Sequence, residues 1–188
     1  IDQGEQVYSS LGDDGWPSGV EASVSRLASA NANVTSSSGT LRLMYFTAKS
    51  AQVRSNMVLF SGGTAAAATP TLVRGGVYSV AGNGDLTLDA SIANDTSIFA
   101  AANTSYTRAL TSLWTPVVGR RYATATLVVT GATAPTLTGV TILTTTNTAP
   151  AGLAPKLAAA FGSQTDLPAS ITDATAVMSG SGPFVYFS

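Results

Sequence analysis

The sequence predicts an all-β protein, an antiparallel β-sandwich of jelly-roll type. Apolar residues alternate with polar ones at period two in six to eight segments spaced about ten residues apart. Helical periodicity is nearly absent. Threonine, valine and tyrosine, which fit a pleated and half-wetted surface, recur throughout. The expected layout is an extended N-terminal arm (residues 1–20), then a sandwich domain (residues 21–188). One short helix is expected near the C-terminus, followed by a closing segment.

The arm is polar, with Gly12-Asp13-Asp14-Gly15 before Trp16-Pro17, and has no strand or helix period. Leu41-Arg42-Leu43-Met44-Tyr45-Phe46 reads as a strand after the turn signal Ser36-Ser37-Ser38-Gly39. In residues 52–60, Val53, Met57 and Leu59 fall on one side, and Gln52, Arg54 and Asn56 on the other. Residues 71–80 form a third strand, with a bulge expected at Gly75-Gly76. Asn83-Gly84 accepts positive φ at both central positions, so residues 77–80 and 85–88 should form a tight hairpin. Residues 105–113 and 122–130 add two strands. Leu127-Val128-Val129, apolar on both faces, marks the second as central. Residues 136–143 read as an edge-like strand. Residues 155–161, Pro-Lys-Leu-Ala-Ala-Ala-Phe, carry the helix, with Pro155 at its first position. Phe184-Val185-Tyr186-Phe187 closes the chain as an apolar strand.

Composition narrows the function more than any motif does. The 188 residues include no histidine and no cysteine, and 10% are charged, with a formal net charge of −1. The usual general base, the thiolate nucleophile and the two best soft-metal ligands are therefore missing. Near-neutral charge offers no field for nucleic acid or an anionic membrane surface. No apolar run reaches the roughly 20 residues needed to span a bilayer. Without cysteine, disulfides cannot hold the fold and the redox compartment is not specified. Ile1 opens the chain without a signal-like stretch, as expected of a trimmed start or of numbering that begins inside a longer polypeptide. No cofactor or metal is called for.

Each candidate site competes with a structural reading. Asp85 and Asp89 share one side of a strand but lie roughly 13 Å apart by strand rise, too far for a retaining glycosidase pair. Solvated aspartates are the expectation. Asp13-Asp14 lacks calcium-loop spacing. Gly62-Gly63 is followed by no lysine and no helix, so residues 62–70 should form an ordered loop, packed by its alanines or touching a neighbouring subunit. Arg120-Arg121 should be a solvated corner. Tyr106, Trp114 and Tyr122 are candidates for stacking on a sugar, weighed against the usual place of such rings in a sandwich core. Asn33, Asn94 and Asn103 begin Asn-x-Ser/Thr triplets, to which no glycosylation is assigned.

The chain also resembles a known group. Leu41-Arg42-Leu43-Met44-Tyr45-Phe46-Thr47-Ala48, Gln52-Val53-Arg54 and the run from Ser61-Gly62-Gly63-Thr64 through Thr71-Leu72 carry the likeness. It continues in Asn94-Asp95-Thr96, Tyr106-Thr107-Arg108-Ala109-Leu110, Gly119-Arg120-Arg121-Tyr122-Ala123 and Gln164-Thr165-Asp166-Leu167-Pro168-Ala169-Ser170. This pattern is similar to minor tail proteins and other virion components of siphovirus-like bacteriophages of actinobacteria. The resemblance covers about half the chain closely and implies an all-β protein on the virion exterior. It carries no catalytic motif, and residues 1–20 fall outside it.

The expectation is therefore a non-enzymatic virion structural protein, in the tail rather than the capsid, acting by assembly with other virion proteins. Low charge eases the packing of flat faces against copies of themselves, so a homo-oligomer, a trimer first, is expected. Tyr8 and Trp16 would anchor the arm in a partner, since burying such a ring contributes about 1.5–3 kcal/mol. The alternative is a host-surface adhesion module that binds cell-envelope glycan through a shallow aromatic site. A carbohydrate-active enzyme is the third reading.

Overall fold

The computed structural model describes residues 21–24, 30–142 and 156–188. Among them the strands make three antiparallel sheets, and the only helical piece is a 3-10 turn at Asp173–Thr175. The all-β sandwich read from the sequence is what forms. The largest sheet has seven strands. Their order is β11 (Ser170–Ile171), β6 (Leu86–Ser91), β5 (Leu72–Val80), β8 (Arg121–Val129), β3 (Leu41–Thr47), β10 (Ala158–Phe161) and β12 (Val177–Met178). A four-stranded sheet runs β1 (Glu21–Ala22), β14 (Val185–Phe187), β4 (Arg54–Phe60) and β7 (Ser105–Trp114). A three-stranded sheet runs β13 (Ser181–Pro183), β9 (Thr136–Thr141) and β2 (Ala30–Thr35). A bridge between Ser61 and Leu137 joins the two smaller sheets into one layer, and a bridge between Ile92 and Leu110 ties that layer to the large sheet.

Chain length forces the large sheet to curl. Its outer strands, β11 and β12, are separated only by residues 172–176, part of them in the 3-10 turn. Six residue steps reach at most about 20 Å, whereas six strand spacings of a flat sheet span about 29 Å. The sheet therefore bends until its edges can be linked, and residues 162–169, running from β10 to β11, cross its concave face. Tyr78 donates its hydroxyl to Pro168 O there (2.8 Å), and Leu88 N donates to Ala169 O (2.9 Å).

Alternation sends successive residues of each central strand into two separate cores. On β8, Tyr122 and Val128 face the layer of smaller sheets, packing with Phe46, Val77, Met57, Leu59 and Phe187. Ala123, Ala125 and Leu127 face the concave side, with Leu41, Leu43, Tyr45, Tyr78 and Ile171. The doubly apolar 127–129 run is thus a central strand covered on both faces, as its sequence implies. The 83–84 hairpin also forms, with a wider turn than expected: Gly84 alone takes positive φ (91°), while Ala81 N donates to Asp85 O.

Several expectations need correction. Residues 155–161 are not a helix: Ala158–Phe161 is strand β10, paired with β3 and β12. Alanine permits either state, and the open edge of β3 decides it; Pro155 is outside the described residues. Strand β9 is no edge, since it lies between β13 and β2. The irregularity expected at Gly75-Gly76 falls two residues later, between Val77 and Tyr78, where Asp89 of β6 is the extra residue. In β4 the register shifts between Arg54 and Asn56, which breaks the simple alternation: Arg54 is buried and Val53 exposed. The arm, residues 1–20, lies outside the described residues.

Beyond β6, Asp95 organises the next turn by accepting from Ser97 N (2.8 Å), Ser97 Oγ (2.6 Å) and Arg108 Nε. The Ser97 hydroxyl and amide, with Arg108 behind them, pull the Asp95 carboxyl down to about 2. A depressed folded value means stability that is present above the ordinary 3.8 and lost as pH falls toward 2. Asp95→Asn should therefore lower stability at neutral pH and flatten that acid loss, read by denaturant unfolding at a series of pH values. Packing between β9 and β13 is tighter still. A Cβ on Gly139 would stand 2.2 Å from Gly182 O and 2.5 Å from Val34 Cγ2. Gly139→Ala should destabilise the fold by about 3 kcal/mol, since the first obstacle is backbone; urea denaturation reads it.

Candidate functional site

The site is one end of the sandwich, where the β3–β4 loop (residues 48–53) meets the β7–β8 loop (residues 115–120). Ala48 N donates to Arg120 O (3.0 Å) and Gly119 N to Ala48 O (2.9 Å), so the loops form one surface. Four large apolar side chains stand out there: Val53 (57% exposed), Leu113 (71%), Val117 (56%) and Val118 (59%). Leu113 is pushed outward because β7 carries extra residues between its pairs with β4, Ala109 to Asn56 and Trp114 to Arg54. That bulge frees Leu110 to bridge Ile92 and turns Leu113 to solvent.

Beneath the surface lies an aromatic base. Trp114 packs against Phe187 (ring centroids 4.8 Å apart), Tyr122 (5.1 Å, edge-on) and Phe46 (6.3 Å). Val117 N donates to the Tyr122 hydroxyl (3.0 Å), which ties the loop carrying Val117 and Val118 to the core. The guanidinium of Arg120 lies 5.7 Å from the same ring, a cation–π contact at the rim.

Glu21 secures the other loop. It is 2% exposed, and its carboxylate accepts from Lys49 N and Ser50 N (3.1 Å each). Burial pushes its pKa up, opposed by those amides and by the charges of Arg54 and Lys49. Arg54, itself buried, donates to Ser50 Oγ (2.8 Å). A carboxylate and a guanidinium taken out of water here are costly unless satisfied. Their bonds instead fix the backbone that carries Val53.

Of the residues singled out from sequence, Trp114, Tyr122 and Arg120 lie beneath or at the rim of this end, and the others fall elsewhere or outside the described residues. Tyr106 (9% exposed), Trp114 (4%) and Tyr122 (2%) are core residues, and the expectation that they stack on a sugar is corrected. Tyr106 spends its hydroxyl on Ala101 N (2.9 Å) and Ala101 O (3.1 Å). Tyr8 and Trp16 lie outside the described residues, as do Asp13 and Asp14. Asp85 accepts from Asp173 N (2.8 Å) and Asp89 from Ser79 Oγ (2.8 Å), both structural bonds. Arg121 is no solvated corner: it stacks 4.6 Å from the Tyr45 ring, donates to Lys156 O, and has its pKa lowered by burial. Among the described residues no three acidic side chains gather to hold a metal ion.

Sequence reading missed the apolar end for a definable reason. Val53 was paired with Met57 and Leu59 by parity, and the register shift in β4 undoes that parity. A signal was present in Val117-Val118, two apolar residues in a turn between Pro116 and Gly119. No protein-family model matches the sequence, and no curated protein matches it. Tyr122→Phe should remove the bond to Val117 N, cost about 1 kcal/mol and speed amide exchange in residues 115–120, as hydrogen exchange by mass spectrometry can read.

Proposed function

We propose that this chain is a non-enzymatic structural protein of a bacteriophage virion exterior, a minor tail or decoration component. It acts by seating its apolar end against other subunits. The observation that carries the reading is the exposure of Val53, Val117 and Val118 on two loops bonded to each other, with Leu113 exposed near the end of strand β7, each more than half exposed. Large apolar side chains exposed together at one end of a fold mark interaction sites. The loops are held from below by Tyr122 and Glu21, so little ordering entropy is lost when a partner arrives. The resemblance of the sequence to siphovirus minor tail proteins supports the virion exterior. A closed ring of like copies, a trimer first, is the simplest assembly such a surface makes. The glycan-adhesion alternative loses the ring platform that motivated it, since Tyr106, Trp114 and Tyr122 are buried.

Two measurements test this reading. In sedimentation velocity at micromolar concentration the chain should associate, and the double variant Leu113→Asp with Val118→Asp should run as monomer with an unchanged melting temperature. Two buried charges at a packed contact cost several kcal/mol, about a hundredfold or more in affinity. A wild-type chain that stays monomeric would remove self-assembly through this end. On intact particles, labelled imaging should find the protein outside the capsid shell, and its absence from particles would end the virion assignment.

A further inference from the structure

A second concavity lies away from the apolar end, between the β4–β5 loop (residues 62–70) and the β6–β7 loop (residues 92–104). It has a volume of about 380 Å³, within the range of small-molecule sites. Ala66, Ala68, Pro70 and Ala100 supply methyl and ring carbons, and Thr69, Thr96 and Ser97 supply hydroxyl groups. None of the lining side chains is charged. The nearby Arg108 and Asp95 are paired with each other, and both also bond Ser97.

The walls are held in place by the core. Ala66 N donates to Phe99 O (3.0 Å), joining the two loops directly. Phe99 keeps a left-handed backbone (φ 69°), unusual for a bulky side chain, while its ring is fully buried edge-on to Tyr106 at 5.8 Å. The Tyr106 hydroxyl fixes Ala101, and Asp95 fixes Ser97. Residues 95–101 are therefore shaped from below, and the concavity is preformed.

From this chemistry we propose that the cleft binds a single neutral sugar unit. The Thr69 and Thr96 hydroxyls, which can both donate and accept, match a ligand made of hydroxyls. Methyl groups and the proline ring match the C–H face of a pyranose. An anion or cation would find no counter-charge in the lining. A purely apolar ligand would strip water from the Thr69 and Thr96 hydroxyls and return no bond to them; Ser97 Oγ is already held by Asp95 and Arg108. The cleft differs from the aromatic platform read from the sequence in place and in chemistry. It also stands apart from the proposed assembly surface, so failure of either leaves the other intact.

The test is amide NMR of the full chain titrated with neutral hexoses, pentoses and N-acetylhexosamines to about 50 mM. That range exceeds the dissociation constant, on the order of 1–10 mM, expected of an open site covering one face of a small ligand. At least one sugar should shift the amides of residues 66–70 and 96–101 together, in a saturable way. Ala68→Trp, at an exposed position, should fill the cleft and abolish the shifts at an unchanged melting temperature. Thr69→Val should weaken binding about fivefold, the loss of one neutral hydrogen bond. The proposal is overturned if no sugar moves those amides, if the shifts persist in Ala68→Trp, or if a sulfated sugar shifts them more strongly than its neutral parent.

Discussion

Everything in this fold depends on where residues 156–188 pair. They supply β10, β11 and β12 to the seven-stranded sheet, β13 to the three-stranded sheet and β14 to the four-stranded sheet. These 33 residues contribute five of the fourteen strands among the described residues. The pairings are long in sequence: Ala158 stands opposite Met44, Val185 opposite Leu59, and Pro183 opposite Gly139. Ser188 N still donates to Asn56 O (3.1 Å). Without cysteine, this segment does the work that covalent staples do in other small β proteins.

The same segment explains the two cores. Residues 162–169 can cover the concave face only because that face is curved, and it is curved because the 172–176 link between the outer strands is short. Small side chains line the bend, with Ala123, Ala125, Ala159 and Ala176 buried beside the larger Tyr45 and Tyr78. Lys156 grips Asp173 at 2.8 Å and Arg74 grips Asp166 at 3.2 Å, two ion pairs that span the crossing at its rim. Partly exposed pairs such as these contribute modestly; the apolar burial beneath carries most of the energy.

Local signals were legible wherever the chain pairs with a near neighbour. The hairpin around Asn83-Gly84, the strand at Leu41 and the doubly covered Leu127-Val128-Val129 follow from period and turn chemistry. What failed was set by distant partners. Ala158–Phe161 has the composition of a helix and becomes a strand because the edge of β3 needs one. Thr136–Thr141 looked like an edge because it is rich in threonine, yet β13 arrives from far along the chain to cover it. The apolar end was hidden by a bulge that no single-strand parity rule foresees. Tyr106, Trp114 and Tyr122 were ambiguous between ligand and core, and only packing assigned them to the core.

The late arrival of β14 has a consequence for the timing of biogenesis. Strands β3 to β9 are synthesised before the strands that cover their edges and fill the concave face. Until then they remain an open, adhesive intermediate, and such non-local closure is slow. The apolar end shares this dependence, because the Trp114 ring that underlies it rests on Phe187 at 4.8 Å. A copy truncated before residue 187 therefore loses the pairing of Phe187 with Met57 and the ring that supports Trp114. Closure of this end thus waits on β14, since only a chain that extends through it brings Phe187 under the Trp114 ring.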